Sequence, residues 1–399
     1  MRLRAGALTA LLAVSAFGPA RAEERWVGTW ATSQQIPEER NALGSHDLDD
    51  ATLRQSVHLS FVATPLRVRL SNAFGTAPLH ITAAHIARAL AAGSDAIDPA
   101  SDTVLRFSGA TDVVIPAGGE YVSDPVSLAG FDIAISLHFG AAPAQQTSHP
   151  GSRTTSYLLA GDHVAAASLP GAKTFDHWFN IAGIDVMGGD GAVSVIGDSI
   201  TDGRGSTTNG NDRWTDDLAR RLAAAGRKIG VLNHGIGGGH VLLDGLGPNA
   251  VSRFDRDVLA QPGVHWLILF EAINDIGTFD PDGTKSKAAH DQLVRELTTA
   301  YSQMIEKAHA AGIRAYGATI TPFMDCGPYH PKPISEADRI AVNTWIRGHF
   351  DAVVDFDKVA RDPARPDHLN PAYDSGDGLH LSPARYQAFA AAVPLSLFK

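Results

Sequence analysis

Three separated stretches of this chain hold side chains that could do chemistry together. The run VIGDSITDG, Val195 to Gly203, ends an apolar segment on Gly197-Asp198-Ser199. A serine there is either part of an ordinary strand-to-helix turn or a nucleophile. It reacts only if a base takes its proton, best a histidine oriented by a carboxylate. Near the other end, DSGDGLHLSPARY sets Asp377 three residues before His380 in a glycine-containing turn, ahead of a helix predicted to begin around Ser382. That spacing lets Asp377 accept from one ring nitrogen and leaves the other for Ser199; Asp374, Asp355 and Asp357 are alternative partners for His380. Acyl transfer also needs donors aimed at a developing oxyanion. The loop Asn233-His234-Gly235-Ile236-Gly237-Gly238-Gly239 could offer a backbone N–H, and Asn274 in EAINDIG a side-chain amide.

Other chemistries fit less well. A metal reading of Asp-x-x-His lacks the further Cys or His ligands that usually accompany it. The glycine loop is not a dinucleotide fingerprint, because His240 stands where G-x-G-x-x-G, counted from Gly235, needs its last glycine. Asp198 and Asp202 read as braces of the serine turn, His234 and His240 as loop surface, and Trp214 as helix core. Phe323, Tyr329 and His330 divide evenly between pocket lining and plain structure.

The elements that must position these residues differ between the two halves of the chain. From Trp26 to about Met187, short alternating runs are broken by Gly, Pro, Asp and Asn. In PLRVRLSNAFG, Leu66, Val68 and Leu70 face one way while Arg67, Arg69 and Ser71 face the other, a strand with one wet face. FDIAISLHF repeats the pattern, and the half as a whole predicts an antiparallel, jelly-roll-like β-sandwich. Only ITAAHIARALAAG suggests a helix there, by composition alone. After the joint Met187-Gly188-Gly189-Asp190-Gly191, apolar runs (AVSVIG, KIGVLNH, VHWLILF, IRAYGATI, AVVDF) alternate with helical ones. Trp214, Leu218, Leu222 and Ala225 mark one helix ending at Gly226; Leu293, Leu297, Ala300, Met304 and Ala308 mark another ending at Gly312. Alternation predicts an α/β, three-layer, doubly wound parallel sheet, whose sites lie beyond the carboxyl ends of its strands. Ser199, the glycine loop and EAINDIG all fall on that edge.

Length and charge set the frame. At 399 residues two domains are expected. Residues 1–22 carry Arg2 and Arg4, an apolar segment from Ala5 to Phe17, and Ala20-Arg21-Ala22, the pattern of a cleavable secretory signal. The expected division is 1–22 signal peptide, 23–187 β-rich domain and 188–399 α/β domain, with a secreted or periplasmic product. Cys326 is the one cysteine, so an exported fold rests on its core rather than on an internal disulfide. The formal charge of −10, more negative once the signal leaves, argues against nucleic acid or an anionic membrane as the main partner.

GDSITDG at Gly197 to Gly203, the glycine loop through Gly238, Asn274 in AINDIG, and Asp377-x-x-His380 resemble, in order and spacing, the four blocks of the SGNH (GDSL-type) hydrolases. The resemblance covers about Gly191 to Lys399. It implies Ser199 as nucleophile, His380 as general base and acid, and Asp377 as its orienting carboxylate. The backbone N–H groups of Ser199 and Gly238 and the Asn274 side chain would form the oxyanion hole, with no metal or organic cofactor. One departure stands out: the family places glycine two residues before that asparagine, and this chain has Ala272, which would be strained if the position needs positive φ. The phrases LRQSVHLSF, RVRLSNAFG and TITPF are similar to the secreted branch grouped with xylan-associated esterases. That likeness implies acyl, above all acetyl, esters on oligosaccharide or polysaccharide. A lipolytic or general short-chain esterase is the nearer alternative, and a non-catalytic glycan-binding protein the more remote one.

Overall fold

The computed structural model describes residues 25–399, so the signal-peptide reading lies outside the described residues. The N-terminal unit contains β1 (Trp26–Ala31), β2 (Ala51–His58), β3 (Leu66–Ser71), β4 (Leu79–Arg88), β5 (Thr103–Val104), β6 (Val113–Ile115), β7 (Glu120–Val122), β8 (Asp132–Phe139), β9 (Ser148–His149), β10 (Ser156–Ala160), β11 (Lys173–Phe175), β12 (Trp178–Phe179) and β13 (Ile181–Met187). One antiparallel sheet runs β1-β13-β3-β7 and a larger one β11-β10-β2-β8-β4-β5, with β6 also on β4. Both contribute to one apolar core, with Val68, Leu70 and Ile184 from the first and Leu53, Ile86, Ile135 and Leu137 from the second.

Two expectations for this unit need correction. ITAAHIAR, Ile81 to Arg88, lies in strand β4, because it is paired along β8 on one edge and to β5 and β6 on the other. Pairing within a sheet overrides the helical preference of an alanine-rich run. The Arg67–Arg69 face is not a wet one. Both guanidiniums pair with the buried Asp185 of β13, at 3.0 and 3.2 Å, and Arg69 also donates to Gln261 of the C-terminal unit at 2.7 Å. The alternation did mark a two-faced strand, but its polar face meets a carboxylate on the adjacent strand of its own sheet and the neighbouring unit.

The C-terminal unit alternates β14 (Gly191–Gly197), α1 (Ser199–Asp202), α2 (Trp214–Ala224), β15 (Ile229–Gly235), α3 (Ala250–Phe254), β16 (Val264–Phe270), α4 (Ile273–Gly277), α5 (Lys287–Ala310), β17 (Arg314–Ala318), α6 (Pro333–His349), β18 (Ala352–Val354), α7 (Phe356–Ala360) and α8 (Pro383–Ala392). All five strands are parallel, in the order β15-β14-β16-β17-β18. Chain order therefore reverses between β14 and β16, and a ligand crevice opens at the carboxyl ends there. Right-handed crossovers put α2 on one face of the sheet and α5 and α6 on the other. Among the described residues no helix is long and apolar enough to cross a membrane.

The two units meet where β1 runs beside β15. Thr32 bridges to Asn233 in parallel, Gly28 N–H donates to the Pro262 carbonyl at 2.9 Å, and Val231 N–H donates to Ser60 Oγ at 3.0 Å. A Cβ on Gly230 would stand 1.8 Å from the Gly28 carbonyl oxygen, backbone against backbone. Gly230→Ala is therefore expected to lower stability by about 1–3 kcal/mol or more. A thermal or urea melt at wild-type midpoint would show that the junction has slack the structure does not display.

Candidate active site

Strand β14 ends at Gly197, and the next residue, Asp198, is extended (φ −94°, ψ −154°) and caps α1 by accepting the Ile200 N–H at 2.8 Å. This places Ser199 at the first position of a one-turn helix beyond the sheet edge. Ser199 Oγ lies 2.7 Å from His380 Nε2, and His380 Nδ1 lies 2.7 Å from Asp377 Oδ2. Serine and histidine are each 7 % exposed, so water is largely excluded from their hydrogen bond. Asp377 Oδ1 accepts the Leu379 and His380 N–H groups at 3.1 and 2.9 Å. The bond from His380, acting against partial burial and helped by these N–H groups, holds the Asp377 carboxyl well below the usual carboxylate range.

The other three carboxylates considered for His380 are engaged elsewhere. Asp374 Oδ1 accepts the N–H groups of Gly376, Asp377 and Gly378, and so builds the turn that presents Asp377. Asp355 pairs with Arg347, and Asp357 with Arg339 and Arg347.

On the opposite side of the serine, the glycine loop leaves β15. Ile236 N–H donates to the Gly197 carbonyl at 3.0 Å, tying the loop to the strand that carries the serine. A Cβ on Gly235 would stand 2.2 Å from Asp202 N, so only glycine lets the loop lie against α1. Gly238 takes φ +65°, and its N–H forms no hydrogen bond within the described residues. As the first residue of α1, Ser199 has an N–H without a partner in its own helix.

Asn274 is buried in the first turn of α4. Its Nδ2 donates to the Gly239 carbonyl at 2.6 Å, while the Tyr329 hydroxyl donates to its Oδ1. These two bonds fix the amide's orientation and leave one Nδ2 hydrogen free. Ala272, the cap of α4, has φ +95° and ψ −4°, the left-handed region, and is fully buried. The substitution for the family glycine is thus accommodated at a cost in backbone strain rather than by a different turn.

Sequence reasoning missed the polar layer beneath these loops. Arg253, 2 % exposed, donates through Nη2 to the Gly197 carbonyl and to Glu271 Oε2, both at 3.2 Å, and through Nη1 to the His234 carbonyl and to Asp257 at 3.1 Å. One guanidinium thereby ties the carboxyl ends of β14 and β15 to the residue just after β16. Glu271, ending an apolar strand on a carboxylate, was the one visible sign of this layer. His234 is not loop surface: it is fully buried below the loop, with Nδ1 3.0 Å from Ser194 Oγ, and burial, with Arg253 adding and Asp257 opposing, lowers it to about 3. Burial also pushes Asp198 up to about 7, with the Asp275 and Asp202 carboxylates adding and the Ile200 N–H and Arg253 opposing.

Residues 195–388 match the GDSL-like lipase/acylhydrolase family. The C-terminal unit is an SGNH hydrolase domain. The protein is accordingly a carboxylic ester hydrolase. Solved structures similar to the SGNH domain include a variant of an acetyl xylan esterase from Geobacillus stearothermophilus (21% identity, 51% of this chain and 93% of that one, TM-score 0.39). Others are a lipase/acylhydrolase from Enterococcus faecalis (18%, 50% and 92%, 0.38) and a GDSL-like lipase from Bacteroides thetaiotaomicron (18%, 51% and 85%, 0.37). No curated protein matches the chain.

Two outcomes follow for the SGNH domain. Ala272→Gly should stabilise it by about 1 kcal/mol, the low end of what a non-glycine residue costs in this region; an unchanged or lower urea midpoint would contradict that. Asp198, ordinarily at 3.8, keeps its proton when folded while the unfolded chain ionises, so stability falls through this group from about pH 4 to about pH 7. Asp198→Asn should flatten that part of the stability–pH curve, and an unaltered slope would place the cause elsewhere.

Proposed function

We propose that this protein is an exported esterase that removes short acyl groups, acetyl above all, from carbohydrate alcohols through an acyl-enzyme on Ser199. The observation carrying the mechanism is the continuous chain Ser199 Oγ, His380 Nε2, His380 Nδ1, Asp377 Oδ2, with both links at 2.7 Å. Asp377 accepts from Nδ1–H, which leaves the Nε2 lone pair to take the serine proton as Oγ attacks the ester carbonyl. The negative oxygen of the tetrahedral intermediate is met by the N–H groups of Ser199 and Gly238 and the free Nδ2 hydrogen of Asn274. His380 then gives its proton to the departing alcohol. Water, deprotonated by the same nitrogen, attacks the acyl carbonyl and frees the acid and Ser199.

The carbohydrate alcohol rests on the resemblance of LRQSVHLSF, RVRLSNAFG and TITPF to the xylan-associated branch, and export rests on the signal-like residues 1–22. A second reading, cleavage of longer acyl or lipid esters, is favoured by Leu243 and Leu246, 65 % and 44 % exposed beyond the glycine loop, where Leu246 packs over Gly238. Rates on acetylated xylooligosaccharides against lysophospholipid and longer p-nitrophenyl esters decide between them; faster cleavage of the lipids overturns the carbohydrate reading.

A fluorophosphonate should label the wild type and not Ser199→Ala. Absence of wild-type labelling would sink the mechanism, and labelling that survives the substitution would sink the assignment of the nucleophile. Asn274→Ala should lower kcat by about 10²–10³, the scale of one oxyanion donor; a loss below about tenfold would remove Asn274 from that role.

A further inference from the structure

We propose that the N-terminal β unit supplies positioning residues for the SGNH site: His149, through Asp202, and Ser33, through Arg253, hold the elements that carry Ser199 and the glycine loop. This rests on the reading of Ser199 as the nucleophile.

Helix α1 is a single turn, Ser199 to Asp202. So short a helix does not stand by itself, because its nucleus costs more than its few bonds return. The direction of Ser199 is therefore set by whatever grips the two ends. Asp198 grips the first end from within the SGNH domain. Asp202, at the other end, lies against residues 149–152 of the β unit.

His149 Nε2 meets Asp202 Oδ1 at 3.0 Å, and each side chain is 4 % exposed. Its Nδ1 faces the Ser33 carbonyl at 2.9 Å, and its ring is stacked on Trp178 at 5.7 Å and 26°. A side chain at Gly151 would fall 1.9 Å from Asp202 Oδ2, so the β-unit backbone lies directly on the second carboxylate oxygen. Arg213, capping α2, donates to the Asp202 carbonyl at 3.1 Å and to the Ser152 carbonyl, closing the grip from a third side. Across Asp202, a Cβ on Gly237 would sit 3.5 Å from Oδ2. The carboxylate is thus wedged between the β unit and the glycine loop, and it transmits the position of one to the other.

The second hold is Ser33. Its Oγ accepts from Arg253 Nη1 at 2.9 Å and donates to Asp257. Arg253 in turn holds the Gly197 and His234 carbonyls at the ends of β14 and β15. None of these β-unit atoms touches the reacting ones, so they act on where Ser199 Oγ and the loop N–H groups stand, not on the proton transfers themselves.

The test uses full-length His149→Ala, His149→Gln, Ser33→Ala and Ser33→Thr. Fluorophosphonate titration counts competent serines, and p-nitrophenyl acetate turnover is divided by that count, so loss of folded protein alone does not change the result. Displacement of a reacting atom by about 1 Å costs about 10²-fold. Per titrated serine, His149→Ala should lose about tenfold to a hundredfold in kcat with KM within about threefold, and its labelling rate should fall in parallel. Ser33→Ala should lose in the same direction, and His149→Gln and Ser33→Thr, which keep a polar group there, should recover part of the loss. If His149→Ala yields no folded protein, Ser33→Ala decides. Turnover per titrated serine within twofold of wild type in the folded alanine variants overturns the proposal and leaves the Ser199 mechanism standing; a wild type that takes no label overturns both.

Discussion

A helix of one turn cannot hold its own first residue in place. That constraint governs the C-terminal unit, because Ser199 opens such a helix and meets His380, which arrives from a segment 181 residues later in the chain. The parallel sheet solves the first part by ending β14 at the reversal of strand order, where the crevice is. The rest depends on clamps: Asp198 under the first turn, Asp202 at its end, and the Gly197 carbonyl held by both Ile236 N–H and Arg253.

These clamps are polar groups in a dry interior, where an unpaired one is costly. Arg253 resolves this by collecting carbonyls from two strand ends and carboxylates from Asp257 and Glu271. Except for Asp257, the shifted acids of this layer respond by holding protons more firmly. Burial raises Glu271 well above its ordinary value, with Arg253 opposing and Asp198 and Asp275 adding. Burial likewise raises Asp275, whose carboxylate still receives the Val241 and Leu242 N–H groups that order the segment after the glycine loop. The layer gives rigidity to the loops above it, at the expense of a stability that depends on pH.

The β unit shares this interior. Its strand β1 extends along the edge of the parallel sheet, its Arg69 donates to Gln261, and its Ser33, His149 and Gly151 reach the layer beneath the loops around Ser199. An aromatic and polar cavity of about 390 Å³, lined among others by Trp30, Phe131, Trp178, Asp202 and Arg213, lies between the units and does not include Ser199. The junction is therefore a continuous polar and aromatic interior.

The sequence marked the five apolar runs that become the parallel strands and the Gly-Asp-Ser turn that follows the first of them, because buried runs and tight turns are local properties. It also offered Asp377, Asp374, Asp355 and Asp357 for one histidine without choosing; only the turn built by Asp374 and the guanidiniums of Arg339 and Arg347 leave Asp377 at 2.7 Å from the ring. Ala272 was visible as a departure, but its φ of +95° is a property of the folded backbone. Folding alone set the partnerships across distance: that Arg69 faces Asp185 rather than water, that His234 is buried, that β4 is a strand, and that Arg253 and His149 reach the serine's supports. Such pairings carry no periodic signature, since each is made by residues the fold brings together from segments far apart in the chain.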